Sequence, residues 1–354
     1  MATKQFILSA LLSALAGHAA AQGGVFTVNC AALQGSIQRA DPLIYPGVVS
    51  PHVHVAAGGT GFGQTQTSAQ AVAARATTCD KFYDKSSYWQ PQLYHHNANG
   101  TFSLVTMTGP AVYYLNRACD YSPTANLQSS CPSTFYARAP PAGLRMVVGN
   151  PTLRTYNPSD FNQQAIQHVC LTSDPNNAPN TPYLPNQPCV RIRAETFFPS
   201  CWDGVNLDSA DHSSHMAFPV GTYNGGYCPQ SHPVAIYSLF YEFFYDTAAI
   251  GSDFNRLVWA MGDQTGYGLH GDYINGWNQT ALDLAMRTCT GPQGVNTPGC
   301  SLWVPSLNGP GASSAQTVQT TNPNPEPVGL QGPIPSLPGN NPLSGTFVKK
   351  SFRA

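Results

Sequence analysis

Glycine and proline recur along the whole chain and limit the structures it can form. The 354 residues include 32 glycines and 31 prolines. Both residue types interrupt helices, and proline also removes a backbone hydrogen-bond donor. We therefore expect short elements separated by turns, with little helix.

Aromatic and β-branched runs between these turns are typical of short strands. The clearest runs are Phe102–Met107, Val112–Leu115, Leu144–Val148, Val190–Ala194 and Val234–Phe244. Helical spacing occurs in the neighbourhoods of Phe161–Val169 and Leu282–Cys289, and residues 68–76 could form a further short helix. This pattern predicts a mainly β fold, a single domain like a β-sandwich or jelly roll with a few short helices.

The first 21 residues have the pattern of a secretory signal peptide. Lys4 is followed by the apolar run Phe6–Ala16 and by the small residues Ala19–Ala21. The run is too short to span a bilayer, so no membrane partner is expected. The predicted localisation is secreted, extracellular or in a cell wall.

Cysteine usage agrees with export. Ten cysteines all follow the predicted signal peptide, an even count that indicates up to five disulfides stapling the domain. Asn99 and Asn278 lie in N-glycosylation sequons and predict a glycoprotein.

Composition also divides the chain. Residues 22–305 are predicted to form the β-rich domain, and residues 306–354, rich in Pro, Gly, Ser and Asn, a flexible tail.

Only 9% of residues are charged and the net charge is −1, which gives no electrostatic footprint for nucleic acid.

Three polar stretches carry the candidate chemistry, and we expect them to meet: residues 50–54, 201–215 and 262–272. His52 and His54 would share one face of a strand, which suits a common metal ion or a base with an orienting partner. Two hydrogen-bonded histidines lining a groove are the alternative.

Carboxylates beside imidazoles orient them and raise their pKa, and flat rings commonly stack on sugars. The predicted catalytic residues are His52, His54, Asp208, His215, Asp263 and His270. The predicted substrate-binding residues are Trp89, Trp202, Asp203, Tyr267, Asp272 and Trp277. The structural alternatives are an aspartate-rich loop that caps its own amides and a glycine-rich turn with ordinary aromatic packing. Glu195 and Glu242 are candidates for a general acid, or for pairing with arginine.

An ordered series of motifs, Asp41–His54, Asp84–Pro91, Cys201–His215 and Gly262–Trp277, resembles the fungal secreted family named domain of unknown function 1996. The resemblance covers residues 39–289. It implies a secreted fungal protein and a common design for the polar stretches. The family name supplies no reaction. Members sometimes carry wall-binding modules, and none is evident in this sequence.

The leading hypothesis is a secreted carbohydrate-active enzyme that cleaves a cell-wall polysaccharide. A glycoside hydrolase would take two carboxyls from the aspartates of these stretches, and a polysaccharide lyase would use a histidine or tyrosine base. The alternatives are a noncatalytic glycan-binding or structural protein and a metal-dependent enzyme using His52 and His54. The expected partner is a polysaccharide or oligosaccharide. The sequence does not determine whether a metal or another cofactor binds.

Overall fold

The structure is a computed structural model that describes residues 25–174, 180–289, 316–320 and 322–346. The predicted signal peptide lies outside the described residues. Strands account for 33% of the residues and helices for 10%, which confirms the prediction of a mainly β fold.

The strands follow the chain in short steps. They are β1 Val25–Asn29, β2 Leu33–Gln34, β3 His54–Gly58, β4 Ser87–Pro91, β5 Leu93–His96, β6 Phe102–Leu104, β7 Met107–Leu115, β8 Ala118–Cys119, β9 Arg145–Gly149, β10 Ile166–Leu171, β11 Asn180–Thr181, β12 Arg191–Phe197, β13 Cys201–Trp202, β14 Met216–Ala217, β15 Gly226–Tyr227, β16 Val234–Ala235, β17 Ser238–Asp246, β18 Leu257–Trp259, β19 His270–Ile274 and β20 Gln316–Thr317. The helices are α1 Ser68–Val72, α2 Phe161–Gln164 and α3 Gln279–Thr288, with 3₁₀ segments at Ala248–Arg256 and Pro338–Asn340.

Two antiparallel sheets dominate. One has six strands in the order β1-β7-β17-β12-β10-β11, and the other has four in the order β3-β4-β19-β9. The hydroxyl of Tyr241 in the larger sheet donates to the carbonyl of Trp89 at 2.9 Å and accepts from the amide of Asp272 at 3.0 Å. The two sheets therefore pack against each other through buried aromatic side chains. The finer arrangement as a sandwich or jelly roll stays a prediction.

Gly271 lies where the two sheets approach each other closely. A Cβ atom at this position would lie 2.1 Å from the hydroxyl oxygen of Tyr241 and 2.6 Å from Cγ2 of Thr196. Only glycine fits a backbone that another side chain approaches this closely. The packing of β19 against the larger sheet thus depends on glycine, which has no side chain, at position 271.

The predicted helices are partly right. Helix α3 forms within the predicted Leu282–Cys289 neighbourhood, and the side chain of Asn278 accepts the amide of Ala281 at 3.0 Å and caps this helix. The helical spacing over Phe161–Val169 was misleading, because only α2 is helical and β10 already begins at Ile166. A short apolar run can form either a helix or a strand. Here its pairing with β12 makes it a strand.

Disulfides staple the domain as predicted. The four described bridges are Cys30–Cys79, Cys119–Cys131, Cys170–Cys189 and Cys201–Cys228. Cys289 is also disulfide-bonded. In the described part of the chain every helix is too short or too polar to cross a bilayer.

Part of the segment predicted to be a flexible tail packs on the domain. Strand β20 pairs with β2, and Ile334 bridges to Phe102. Leu337 is 1% exposed and anchors the segment in a small apolar cluster. These isolated apolar residues were the only sequence signal for packing within a Pro- and Gly-rich composition.

Candidate metal centre

The four-stranded sheet places two of the predicted histidines on one face. His54 begins β3 and His270 begins β19, and these strands flank β4. His54 is opposite Pro91 of β4. Because side chains at opposed positions share a face, the imidazoles of His54 on β3 and His270 on β19 can meet above the compact ring of Pro91 on β4. His52 reaches the same point from the residues just before β3.

The three ring nitrogens converge closely. Nε2 of His270 lies 3.2 Å from Nε2 of His52 and 3.3 Å from Nε2 of His54. Nitrogen ligands roughly 2.0–2.1 Å from a tetrahedral ion stand about 3.3 Å apart. The rings are nearly sealed from solvent, with residue exposures of 5% for His52, 0% for His54 and 3% for His270. Both distances from His270 therefore match the spacing of metal ligands, and all three histidines offer a nitrogen within 4.8 Å of the others.

In two of these rings the proton lies on Nδ1, the nitrogen that does not face the other histidines. Nδ1–H of His54 donates to the carbonyl of Ala40, and Nδ1–H of His270 donates to the carbonyl of Gly268, each at 3.0 Å. A neutral imidazole with its proton on Nδ1 has only a lone pair on Nε2. Two such lone pairs cannot hydrogen-bond to each other, and a cation between them satisfies both.

Burial keeps these rings neutral. Desolvation lowers the pKa of His270 to about 4. It also lowers the pKa values of His52 and His54 well below the ordinary range, and the neighbouring histidines add to this effect. A metal ion requires the unprotonated ring, so the environment suits coordination.

Asp263 organises the turn that supports His270. Its buried carboxylate accepts from the amide of Thr265 at 2.8 Å and its hydroxyl at 2.6 Å, and from the amides of Gly266 at 3.0 Å and Gly268 at 2.8 Å. It does not join the three nitrogens. These hydrogen bonds all go to its own turn, and Arg154 pairs with the carboxylate at 3.6 Å, so the arrangement favours a positioning role over the predicted catalytic one.

Asp272 lies two residues beyond His270, on the same face of β19, opposite Trp89 and Val147. It is fully buried, and neither carboxylate oxygen has a hydrogen-bond partner among the described residues. Burial raises its pKa well above the usual range, and the carboxylate of Asp41 adds to this. Its complete burial does not favour the predicted direct contact with a polysaccharide.

The middle polar stretch stays separate from the three histidines. His215 is buried with Nδ1 2.9 Å from the hydroxyl of Ser209 and Nε2 donating to the carbonyl of Arg145 at 2.7 Å. Asp208 lies 2.7 Å from Nδ1 of His212. Local partners thus occupy both predicted catalytic residues, as the alternative of a self-capping loop anticipated.

Asp203 and Trp202 belong to the same loop. Asp203 accepts the amides of Val205 and Asn206, each at 2.8 Å, and Nε1 of Trp202 donates to the carbonyl of Asn206 at 2.6 Å. The bonds of Asp203 form an Asx turn. Local bonds thus occupy the polar groups of both side chains, which leaves none free for the predicted binding of a substrate.

The predicted ring residues divide into core and surface. Trp89 is fully buried, and Trp277 is 2% exposed with Nε1 donating to the hydroxyl of Tyr114 at 2.8 Å. Neither offers a ring face to a sugar, which is a correction to their predicted role. Tyr267 is half-buried and lines a surface cavity of about 290 Å³. Its partner Tyr156, which stacks on it, was missed because nothing in its local sequence distinguishes it.

The two scarce glutamates form an ion-pair cluster on the larger sheet. Glu195 and Glu242 are opposite each other on β12 and β17, and Arg193 pairs with both, at 2.5 Å and 3.3 Å. Gln167 is opposite Glu195 on β10, and Tyr113, Asn180 and Tyr223 also face it. Burial raises the pKa of Glu195 to about 7. Pairing with arginine, the structural alternative, is what the structure contains.

Comparison with known proteins places the chain in a family. The family described as Domain of unknown function (DUF1996) matches residues 41–277, about two thirds of the sequence. The chain belongs to this family. No curated protein and no solved structure matches it. The DUF1996 region contains all three histidines, the Asp263 turn and β19, so the candidate metal centre lies inside the matched family region.

Proposed function

We propose that this DUF1996 protein is a metal-dependent enzyme whose centre is a Zn²⁺ or Cu²⁺ ion bound by Nε2 of His52, His54 and His270. The observation that carries the proposal is the convergence of three Nε2 atoms, two of which belong to rings whose protons are donated elsewhere. Imidazole nitrogen suits both ions.

The number of ligands supports catalysis over a purely structural role. No fourth cysteine, histidine or carboxylate joins the group within the described residues. Structural zinc sites are usually closed by four protein ligands, whereas catalytic sites have three and leave one position open. A metal held there supplies a Lewis acid for a bound substrate group.

The chain's own groups prepare this centre. The carbonyls of Ala40 and Gly268 hold the rings of His54 and His270 in the orientation that presents Nε2. Asp263 fixes the amide of Gly268 and so supports the turn that carries that carbonyl. Burial of all three rings excludes water and strengthens electrostatic interactions inside the site.

A cell-wall polysaccharide remains the proposed substrate, and a fungus the proposed source. The disulfides support the proposed secretion. The two-carboxylate glycosidase version has less support. Local partners occupy Asp203, Asp208 and Asp263, which leaves no pair of free carboxylates among these predicted residues in the described part of the chain.

Metal analysis tests the centre directly. Protein without a histidine tag, purified without chelator, is expected to bind one equivalent of Zn²⁺ or Cu²⁺ by elemental analysis and calorimetry. His54→Ala should abolish this binding. His215→Ala is the matched control, since His215 is equally buried but outside the cluster, and it should keep the metal. Absence of metal from wild-type protein after incubation with either ion refutes the proposal.

Turnover tests the enzyme. Metal-loaded protein is expected to release soluble products from a wall polysaccharide, to lose this activity on chelation and to recover it on metal addition. Activity that survives complete metal removal would contradict the proposed role of the histidines. Retention of a glycan without turnover by the metal-loaded protein would favour the noncatalytic alternative.

A further inference from the structure

A surface groove with polar and apolar walls runs along the edge strand of the sheet that carries the proposed metal centre. A cavity of about 290 Å³ and another of about 490 Å³ share Asn162 and Ser213 in their walls. Strand β9 contributes Gly149 to one and Val147 to the other. These volumes are typical of small-molecule sites.

The groove lies next to the proposed centre. Gly149 is opposite His270 in the pairing of β9 with β19. Tyr267 lines the cavity and belongs to the Asp263 turn, whose Gly268 carbonyl holds the ring of His270. A ligand in the groove would therefore contact the same turn that positions a metal ligand.

Two tyrosine rings form the apolar part of the groove. Tyr156 and Tyr267 stack with ring centroids 5.8 Å apart and planes 18° from parallel. Both are half-buried, and neither hydroxyl is hydrogen-bonded within the described residues. Stacked aromatic rings give a rigid flat surface with polar tips, which suits the C–H face and the hydroxyls of a sugar ring.

Much of the remaining wall is polar. Asn150, Asn162 and Gln163 supply amide groups, and none of the described residues that line either cavity is a lysine, an arginine or a histidine. The two carboxylates in the walls are occupied: Asp160 accepts the amide of Asn162, and Asp211 accepts the amides of Ser213 and Ser214. A uronate or a phosphate would find no counter-charge there.

We infer that the groove lined by Tyr156 and Tyr267 binds a neutral oligosaccharide beside the metal centre. This inference rests on the proposed function for the link to turnover, but binding itself requires only the groove. Neutral wall glycans fit the combination of tyrosine rings, amides and absent positive charge.

The test measures binding and metal content in the same protein samples. The probes are linear β-1,3-glucan, β-1,4-glucan and chitin oligosaccharides, with an oligogalacturonide as the anionic comparison, titrated by calorimetry. At least one neutral probe should bind, and the anionic one should not. Tyr156→Ala and Tyr267→Ala should each weaken that binding by about tenfold or more, since each removes a stacking face.

Tyr136→Ala is the matched control, because Tyr136 is 44% exposed and lies outside both cavities. It should bind like wild type. Both groove variants should retain one metal equivalent, which separates a failed groove from a failed metal centre. Binding unchanged in both variants, preference for the oligogalacturonide, or no binding of any neutral probe overturns the inference.

Discussion

Replacing Asp263 by alanine tests whether its carboxylate stabilises the turn that carries Gly268. The carboxylate is fully buried and accepts three backbone amides and one hydroxyl of its own turn. Alanine leaves three buried amides without partners at about 1–3 kcal/mol each. Part of this is recovered because a carboxylate no longer has to be buried. We expect Asp263→Ala to lower the free energy of unfolding by about 4 kcal/mol, a large share of the roughly 5–15 kcal/mol of a typical domain.

The assay is urea unfolding of chelator-treated protein, so that metal binding does not contribute. Asp203→Ala is the matched control, because Asp203 makes the same kind of turn at the surface, where water replaces the lost bonds. Its loss should be about 0.5 kcal/mol. Asp263→Ala should also weaken metal affinity about 10–100-fold by loosening the turn that orients His270. Equal stability losses in the two variants would refute the reasoning.

Three further results are expected. Glu195→Gln should flatten the pH dependence of stability, because the raised pKa makes the wild-type unfolding free energy fall by at most about 3 kcal/mol as pH rises from 4.5 to about 7; urea titrations at several pH values measure this change, and an unaltered pH dependence in the variant would contradict it. Gly271→Ala should destabilise by about 3 kcal/mol through the clash with Tyr241, unlike Gly221→Ala, where a Cβ meets only ordinary contacts. Zn²⁺ or Cu²⁺ at 100 times its Kd should stabilise wild type by about 2.7 kcal/mol in thermal melts and leave His54→Ala unchanged.

The fold class followed from sequence because its signals are local. Dispersed glycine and proline limited helix length, and aromatic runs such as Val234–Phe244 indicated strands. The pairing of distant strands left no such signal: β4 lies between β3 and β19 only because of contacts across some 180 residues. The apparent helix at Phe161–Val169 failed for the same reason, since pairing with β12 outweighed local spacing.

The site was predictable where residue type alone defined the chemistry. His52 and His54 carried a spacing signal, and His270 stood in a polar glycine-rich stretch. The sequence could not show that His215 and Asp208 would find partners within their own loop. Nor could it show that Trp89 and Trp277 are core residues, because burial depends on the tertiary packing of both sheets.

The contrast between Asp263 and the histidine cluster argues for a bound cation. Both are buried polar groups next to the same turn, yet Asp263 has four hydrogen-bond donors, while Nε2 of His54 and of His270 has only another nitrogen within reach. Buried polar atoms in native proteins are nearly always satisfied. A fold that directs the Nδ1 protons of His54 and His270 toward carbonyls has fixed the tautomer that coordinates a metal through Nε2. A metal ion that accepts these lone pairs would satisfy both nitrogens, which is the physical basis of the proposed centre.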